Sequence, residues 1–449
     1  MNCYPAYKDS GIQWLGEIPK HWTVKRLRHI SPFLTVGVVV NPSSYVTDYG
    51  EPFLFGSDVT EQGINITKSR RVPKEISDGE LRKTRLEAGD LVTVRVGYPG
   101  VTAVVPPELE GANCAAIMLI RKSHTFDSFW LCYAMNSRVG RYQVEQVQYG
   151  AAQEQLNINH AIDFAFPVPP LHEQRKIATY LDHKTAELGI LVTAKQHLLN
   201  LLAEKRRALI THAVTRGLNA DTPLCDSGID WLGMFPEHWE MGRLKWICKS
   251  LQTGPFGSQL HAEDYIDRRD GGIPVINPAH LTNGRIVPDD RVTVNEIMAE
   301  YLAAHRLEVG DVVLSRRGEI GRCGLVTEKE VGWLCGSGSL RVRPDGKILD
   351  SKYLVLLLTN TFAGSWLSLM SVGTTMDNLN TEIVGELAIT LPPLQEQQAI
   401  VTYVENQASK LDKLEAATKY TIKLLQERRT ALISSVVTGQ IHVGESYAT

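Results

Sequence analysis

The sequence predicts an α+β protein, built from two pseudo-repeated mixed α/β domains and two long helices that pair as a coiled coil. Three observations predict this fold class. They are an internal repeat, two long segments that carry an apolar stripe, and short β-branched segments bounded by Gly or Pro. The chain has 449 residues. Since one domain usually takes ~100–200 residues, two or more domains are expected.

Three segments of the chain recur later in the sequence, so the chain contains an internal repeat. The equivalent pairs are 9–30 with 226–247, 86–100 with 307–321, and 169–215 with 392–438. The first pair is identical at 13 of 22 positions and the last at 20 of 47. The offset grows from 217 to 223 residues, so the second copy carries small insertions. Each copy has a globular part followed by a long helix.

Each predicted long helix begins at a Pro-Pro-Leu segment and ends at a Gly. The first runs from Pro169 to Gly217 and the second from Pro392 to Gly439, as expected for Pro near a helix start and Gly past its end. A seven-residue apolar pattern in each predicts coiled-coil pairing. The predicted seam consists of Ile177, Leu181, Leu188, Leu191, Leu198, Leu202, Leu209, Ile400, Val404, Leu411, Leu414, Leu425 and Leu432. The alternative, two amphipathic helices that each pack on their own domain, stays open.

The remaining segments predict mixed globular parts. The expected elements are strands at 91–96, 101–105, 312–314 and 340–342, and short helices at 126–135 and 353–358. The predicted boundaries are 1–168 for the first globular domain, 169–217 for the first helix, 218–391 for the second domain, 392–439 for the second helix and 440–449 for a tail.

Composition and charge exclude several classes of protein. Hydrophobic residues make up 43% of the chain and charged residues 22%, which excludes wholesale disorder. No run of 18 apolar residues and no signal-peptide pattern is present, so a cytoplasmic protein without a membrane span is expected. The seven cysteines lack a C-x-x-C pair, which argues against a disulfide framework or a zinc ribbon. With a net charge of -3, any nucleic-acid binding must rest on local patches or on a partner.

The sequence lacks the motifs of several catalytic sites. The P-loop, H-E-x-x-H and the Pro-Pro-aromatic motif of amino-methyltransferases are absent. Cys114 and Cys335 occupy equivalent positions without a matched His, so buried structural cysteines are expected. Glu173 and Glu396 are expected to meet free N–H groups of the first helical turns. The recurring tryptophans that are expected to pack in the core are Trp14, Trp22, Trp231 and Trp239.

Basic and polar residues in turn-rich segments are candidates for DNA contact. Arg95 and Arg316 are equivalent in the repeat, and each lies between a predicted strand and a Gly-rich turn. Each is therefore expected to present its guanidinium to guanine or phosphate. Gln259 is a candidate for reading adenine, and the first copy has no counterpart of it. The candidates are Lys68, Arg70, Arg71, Arg95, Ser258, Gln259, Arg285, Arg316 and Arg317. For any single Arg, the alternative is a solvated surface charge.

Several motifs occur once in each copy. They are the entrances D-S-G-I-x-W-L-G-x-x-P-x-H-W at 9–22 and 226–239, the loop ends at 155–157 and 378–380, and P-P-L-x-E-Q at 169–174 and 392–397. Together they resemble the specificity subunits of type I restriction–modification enzymes over nearly the whole chain. The first loop departs from the usual polar pattern, because it has Ala151-Ala152-Gln153 where the second copy has Thr374-Thr375-Met376.

The resemblance implies two target-recognition domains separated by helices that pair antiparallel. Each domain then reads one half of a bipartite, asymmetric DNA target around an unread spacer. Because the loops differ between the copies while the entrances and helices agree, about 31–165 is expected to set one half-site and about 248–388 the other. It also implies that this chain has no active site and no cofactor. S-adenosylmethionine is expected on two modification subunits that methylate adenine, and ATP and Mg are expected on two restriction subunits.

Three other functions stay open from the sequence. One is the specificity subunit of a type IIB-like enzyme, in which methylation and cleavage share one partner polypeptide. Another is a tandem-domain protein scaffold that does not bind DNA. The last is a self-contained methyltransferase or nuclease, which would bind S-adenosylmethionine or cut DNA without a partner.

Overall fold

A computed structural model of the chain describes residues 3–31, 33–66, 70–147, 155–229, 232–267, 271–282, 284–371 and 378–444. Contacts divide the chain into two compact units. Unit 1 comprises Met1–Gln196 and Lys419–Thr449, and unit 2 comprises His197–Thr418. Both divisions fall inside the long helices, so each unit holds one globular part and half of each helix.

The globular part of unit 1 consists of short strands with a few short helices. Its strands are β1 (Tyr7–Asp9), β2 (Glu17–Pro19), β3 (Thr23–Arg26), β4 (Leu34–Val36), β5 (Glu51–Leu54), β6 (Val59–Thr60), β7 (Gly63–Ile64), β8 (Arg70–Val72), β9 (Leu91–Val94), β10 (Thr102–Val104), β11 (Asn113–Cys114), β12 (Ile117–Ile120) and β13 (Ala165–Val168). Its helices are α1 (Leu27–Ile30), α2 (Lys74–Asp78), α3 (Ser128–Asn136), α4 (Arg138–Val147) and α5 (Ile158–Ala161).

An antiparallel sheet in the order β10-β9-β12-β4 lies at the centre of unit 1. Every residue of β9 and β12 is buried, so both faces of these strands are covered. Side chains alternate between the faces: Met118 and Ile120 join one core cluster, and Ile117 and Leu119 join another. A second sheet has the order β11-β5-β8.

The globular part of unit 2 repeats this plan. Its strands are β14 (Leu224–Asp226), β15 (Met234–Pro236), β16 (Glu240–Arg243), β17 (Cys248–Thr253), β18 (Ile273–Ile276), β19 (Leu281–Thr282), β20 (Arg285–Ile286), β21 (Thr293–Val294), β22 (Val312–Ser315), β23 (Cys323–Leu325), β24 (Leu334–Cys335), β25 (Ser339–Pro344) and β26 (Ala388–Leu391). Its helices are α7 (Leu244–Ile247), α8 (Glu296–Tyr301), α9 (Ser351–Thr359), α10 (Thr361–Met370) and α11 (Thr381–Gly385).

The main sheet of unit 2 has the antiparallel order β17-β25-β22-β23, which matches β4-β12-β9-β10 of unit 1 strand for strand. The strands predicted from β-branched segments are confirmed as β9, β10, β22 and β25, and the two short helices as α3 and α9. The smaller sheet, β21-β18-β24, corresponds to the second sheet of unit 1.

The two long helices are α6 (Leu171–Arg216) and α12 (Leu394–Val437), as predicted. Each is followed by a Gly with positive φ, +73° at Gly217 and +74° at Gly439, a conformation that Gly adopts without steric cost. In unit 1, the start of α6 packs with the end of α12, where Leu181 shares a core with Val436. In unit 2, the end of α6 packs with the start of α12. The helices therefore pair antiparallel.

The structure buries most of the predicted seam, but not all of it. Ile177, Leu181, Leu188, Leu202, Ile400 and Val404 are buried, and Leu198, Leu209, Leu411, Leu425 and Leu432 are half-buried. Leu191 and Leu414, which are equivalent in the repeat, are 48% and 46% exposed, so the expectation that they lie in the buried seam is wrong. An α-helix drifts ~20° per heptad from a strict seven-residue repeat, and this drift turns some seam positions outward.

Each unit has its own hydrophobic core. In unit 1, Trp22, Trp130 and Phe166 are fully buried together, and in unit 2 the core includes Tyr353 and Leu354 of α9. Within the described ranges, no single helix is long and apolar enough to cross a membrane, while the bent pair of α9 with most of α10 passes this test by length and composition only.

Candidate nucleic-acid interface

In each unit, several loops meet at one edge of the main sheet. In unit 1 the ends of β4 and β9 lie at the same edge as the start of β12, because Val36 pairs with Met118 and Val94 with Ile117. The register of unit 2 is equivalent. We call this side of each unit its loop edge. It consists of residues 37–41, 95–101 and 113–116 in unit 1, and 254–260, 316–322 and 335–338 in unit 2.

Glycines allow the loops of the loop edge to touch backbone to backbone. A Cβ at Gly254 would lie 1.8 Å from the carbonyl oxygen of Gly336, and a Cβ at Gly37 would lie 2.3 Å from that of Cys114. No side chain is compatible with such an approach. The loop after β17 is therefore held against 335–338, and the loop after β4 against 113–116.

Arg95 and Arg316 hold a loop in place in the same way in both units. The Nε atom of Arg316 donates to the carbonyl of Leu379 at 3.0 Å, and the amide of Leu379 donates back to the Arg316 carbonyl at 2.9 Å. The Nε of Arg95 donates to Leu156 at 3.1 Å, and the amide of Leu156 donates back at 2.8 Å. Arg316 is only 8% exposed, and burial lowers the pKa of its guanidinium. The expectation that it presents its side chain from a loop is therefore wrong, whereas Arg95 is half-buried.

The Leu-Asn pair in each repeated loop has a local structural role. Leu156 and Leu379 are fully buried. The next residue caps a short helix: the side chain of Asn157 accepts from the amide of Asn159, and that of Asn380 accepts from the amide of Ile383 at 2.7 Å. These contacts explain why the same dipeptide ends both loops.

Of the other basic candidates in unit 1, one lies near the loop edge and one does not. The Arg70 guanidinium lies 4.1 Å from the ring centre of Phe55, and the next residue, Gly56, packs against Val94 at the end of β9. Arg71 instead donates to the carbonyl of Gly50 at 2.8 Å, and Gly50 is not one of the residues of the loop edge. Lys68 lies outside the described residues.

In unit 2, Arg317, Ser258 and Gln259 lie at the loop edge, with Arg317 and Ser258 exposed. The side-chain oxygen of Gln259 accepts from the amide of Phe256 at 3.0 Å. This hydrogen bond closes the turn 256–259 and uses one lone pair of that oxygen. Arg285 lies elsewhere, at the start of β20, where it lines a cavity beside Glu405 of α12. The structure therefore brings together Ser258, Gln259, Arg316 and Arg317, but not Arg285.

The P-P-L-x-E-Q motifs connect the entrances to the long helices. Glu173 accepts from the indole N–H of Trp22 at 2.7 Å and contacts His21 at 3.0 Å, and Glu396 contacts His238 at 2.8 Å. The expectation that these carboxylates meet free backbone N–H groups is therefore wrong, because the entrance motif supplies side-chain partners. These are His21 and Trp22 for Glu173, and His238 for Glu396.

The glutamine that follows each of these glutamates is buried and makes the same two bonds in both units, and Gln397 also donates to the Ile348 carbonyl at 2.9 Å. The side chain of Gln174 accepts from the amide of Asp127 at 2.8 Å and donates to the carbonyl of Pro169 at 2.8 Å. Gln397 does the same with Asp350 and Pro392. Since Asp127 and Asp350 cap α3 and α9, each glutamine joins a long helix to its globular part.

The prediction that the four recurring tryptophans pack in the core is confirmed for two of them. Trp22 and Trp239 are buried, but Trp14 is 38% exposed and lies 5.3 Å from the ring of Tyr142, so core packing is wrong for it. Trp231 lies outside the described residues.

Cys114 and Cys335, the cysteines at equivalent repeat positions, are not activated as nucleophiles. Cys114 and Cys335 are buried as expected, and burial raises the pKa of each thiol to about 12. Such a thiol stays protonated and is a poor nucleophile. Over the residues that the structure describes, no cluster of three or more His, Cys, Asp and Glu side chains is arranged to hold a metal ion.

Sequence analysis missed two exposed aromatic side chains at the loop edges. Tyr98 is 80% exposed in unit 1, and Phe256 is 66% exposed in unit 2. The turn sequence could have predicted their exposure. Each aromatic residue lies next to a Pro between two glycines, in G-Y-P-G and G-P-F-G, and such segments form turns at the surface.

Comparisons with known proteins agree with the sequence motifs. A family model for the type I restriction modification DNA specificity domain matches residues 236–424. The EcoBI specificity subunit of Escherichia coli is 23% identical over 62% of this chain, and the chain spans 59% of the length of that relative. The EcoKI specificity subunit of Escherichia coli K12 is 20% identical over 95% of this chain and 90% of its own length.

Solved structures share the fold. One chain, from work on complex assembly and conformational transition of the type I R-M system, has a TM-score of 0.66 at 19% identity and covers 94% of this chain and 99% of its own. The HsdS subunit from Thermoanaerobacter tengcongensis has a TM-score of 0.55 at 18% identity, with 94% and 98% covered. The chain thus shares the fold of these solved chains, with two repeated α+β domains. The resemblance to type I restriction–modification specificity subunits is confirmed.

Proposed function

We propose that this chain is the non-catalytic DNA-recognition subunit of a type I restriction–modification complex. In this function, each globular part reads one half of a bipartite, asymmetric target. The observation that carries the proposal is the pair of loop edges. Their sheets are equivalent, and so are their glycines and the loop ends bonded by Arg95 and Arg316. The exposed groups differ, as Gln259 has no counterpart in unit 1. A shared framework with different exposed groups suits two unlike half-sites.

The chemistry of the loop edges supports contact with duplex DNA. Arg317 and Arg70 are exposed cations that suit phosphate or guanine. The exposed Ser258 hydroxyl and the free amide nitrogen of Gln259 suit phosphate oxygens or base edges. Because the net charge is -3, partner subunits supply much of the positive charge that holds the DNA backbone.

The paired helices are proposed to dock the modification subunits and to set the spacer. In unit 1, a groove of about 350 Å³ between α6 and α12 is lined by apolar side chains that include Leu188, Leu191, Leu432 and Ile441. In unit 2 the equivalent positions in the repeat are Leu411, Leu414, Leu209 and Leu218. Two equivalent apolar surfaces suit two copies of one partner.

In the proposed complex, the chemistry belongs to the partners. Two modification subunits bind S-adenosylmethionine and take one adenine of each half-site out of the stack, since methylation of a base requires access to it. Two restriction subunits bind ATP and Mg. The chain itself selects the DNA sequence that is bound and positions the partner subunits on it. It acts in the cytoplasm.

An exchange of one recognition domain tests the proposal. Residues 31–165 are replaced with the corresponding segment of another specificity subunit, and the host DNA is sequenced for adenine methylation. One half of the methylated target should change while the other half and the partner assembly persist. A change in both halves, or in neither, contradicts the assignment of one half-site to each domain.

Each alternative function predicts a different result in an assay of its own. A protein scaffold adds no sequence preference to the modification subunit in a mobility-shift assay. A self-contained enzyme binds S-adenosylmethionine or cuts DNA as a purified chain. A type IIB-like system lacks separate modification and restriction genes beside this one.

A further inference from the structure

Each loop edge has an exposed aromatic side chain on a turn whose backbone is fixed by hydrogen bonds. In unit 1, the turn 97–100 is closed by the amide of Gly100, which donates to the Val94 carbonyl at 2.8 Å, and Arg141 donates to the carbonyl of Pro99 at 2.8 Å. Both glycines of this turn have positive φ, +94° and +91°, which few other residues adopt. Tyr98 lies between them and is 80% exposed.

The turn in unit 2 is fixed by different contacts. The amide of Gly254 donates to the Ser339 carbonyl at 3.0 Å, and the amide of Phe256 donates to the side chain of Gln259 at 3.0 Å. Phe256 is 66% exposed. In both units hydrogen bonds fix the backbone of the turn while the apolar ring is left in water. A partner that covers the ring would therefore bury apolar surface at little cost in ordering the loop.

The neighbours of the two rings favour a nucleic acid as that partner. Tyr98 follows Arg95 by three residues in the same β9–β10 connection, and the loop of Phe256 packs on 335–338, where the Gly338 carbonyl accepts from the amide of Arg316. The exposed Arg317 is the next residue. Each ring thus shares its loop edge with an arginine, and proteins use aromatic rings together with cations to engage bases and phosphates at the same time.

We infer that Tyr98 and Phe256 are wedge residues that insert against a base step of the duplex, each in its own half-site. This inference rests on the proposed DNA-recognition function. An aromatic wedge unstacks neighbouring base pairs and bends the duplex, which lowers the cost of extruding a nearby adenine. The two rings come from non-equivalent loops, the β9–β10 turn and the loop after β17, so the two half-sites are distorted at different steps.

Each unit contains a matched control, an exposed aromatic at the opposite end of the same sheet. Phe33 is 69% exposed and precedes β4, and Trp246 is 76% exposed and lies before β17. Loss of these rings removes a similar exposed apolar area without touching the loop edge. Alanine variants of all four rings therefore show whether an effect requires a ring at the loop edge or follows from the loss of any exposed ring. The variants are Tyr98→Ala, Phe256→Ala, Phe33→Ala and Trp246→Ala.

The experiment uses the complex of each variant with its modification subunits. Duplexes carry the methylated target of the wild type, with 2-aminopurine placed at successive non-target positions as a reporter of unstacking. Wild type should raise the fluorescence at one step in each half-site. Tyr98→Ala should abolish the signal in one half and weaken binding about fivefold or more, the size of one lost base–aromatic stack, while Phe256→Ala does so in the other half. Tyr98→Phe should keep both properties.

Several outcomes overturn the inference. In one, Tyr98→Ala and Phe256→Ala bind and unstack DNA like Phe33→Ala and Trp246→Ala. In another, they lose the modification subunits before DNA is added, which would make the rings protein contacts. Failure of the proposed function is distinguishable, because the wild-type complex would then show no preference for its target over an unrelated duplex.

Discussion

Two adjacent arginines at the loop edge of unit 2 differ in their contacts. Arg316 and Arg317 are adjacent, yet Arg316 is buried against Leu379 and Arg317 is exposed. In unit 1, Arg95 repeats the contact of Arg316 through Leu156. In unit 2 the structural contact therefore belongs to Arg316, and the proposed DNA contact belongs to its neighbour Arg317.

Substitution of these two arginines should have different effects. Arg317→Ala should weaken DNA binding about uniformly across sequences and reduce the salt slope by about one, because one phosphate contact is lost. Arg316→Ala should instead lower the stability of unit 2, since the buried Leu379 carbonyl loses its donor. Binding curves at several salt concentrations, together with urea unfolding, distinguish the two. A base-edge contact by Arg317 would appear as relaxed specificity at one position.

Gln174 offers a second test at the scale of one residue. Gln174→Ala leaves the amide of Asp127 and the carbonyl of Pro169 without their buried partner, so it should cost about 1–3 kcal/mol of unfolding free energy. Gln426→Ala, at an exposed position of α12, should change the free energy by less than about 0.5 kcal/mol. Urea unfolding monitored by circular dichroism measures both. Equal effects of the two substitutions would show that the buried amide does not join α6 to its domain.

At the scale of an element, α6 carries a buried stripe and a partly exposed one. Leu181 is fully buried, whereas Leu191, ten residues later, is 48% exposed and lines the apolar groove with α12. Leu414 of α12, the repeat equivalent of Leu191, is 46% exposed. Each helix thus has one set of leucines for its own unit and another set available to a partner.

These two sets should respond differently to substitution. Leu181→Ala should cost about 2–5 kcal/mol, because it leaves a cavity in the core. Leu191→Asp should change the unfolding free energy by less than about 1 kcal/mol but weaken assembly with one modification subunit, since it places a charge in the groove. Native mass spectrometry counts the bound subunits, and urea unfolding measures stability. Full assembly by Leu191→Asp together with Leu414→Asp would exclude the groove as the docking surface.

At the scale of the whole molecule, the long helices are the elements shared by both units. α6 contributes Leu171–Gln196 to unit 1 and the rest to unit 2, and α12 is divided in the same way. Insertions at these two divisions therefore lengthen both helices without entering either globular part.

A heptad inserted into both helices tests whether they set the spacer. The paired insertion, after Gln196 and after Thr418, keeps the seams in phase and adds ~10 Å to each helix. At ~3.4 Å per base pair, the preferred spacer should lengthen by about three base pairs. Methylation of a series of targets that differ only in spacer length measures this.

An insertion into one helix alone is the control for that experiment. It mismatches the seams and should weaken assembly. If the doubly extended protein assembles and keeps its original optimum, the partner subunits set the spacing instead of the helices.

Periodicity and repetition are local properties of the chain, so the sequence alone determined the features that depend on them. The repeat, both long helices, the strands β9, β10, β22 and β25, and the buried Cys114 and Cys335 were all predicted from it. An apolar stripe or a β-branched segment between glycines selects its own secondary structure, because the side chains that must be buried lie close together in sequence.

Only the tertiary structure decided which side chains stay exposed at the loop edges. Arg316 and Arg317 are alike in sequence, and only the loop at Leu379, more than 60 residues away, determines that the first is buried. Trp14 is exposed although Trp22 is buried, and Glu173 finds its partners in the entrance motif. The physical reason is that hydrogen bonding and solvent exposure are set by residues that are distant in sequence and meet only when the loops pack, so no local pattern contains them.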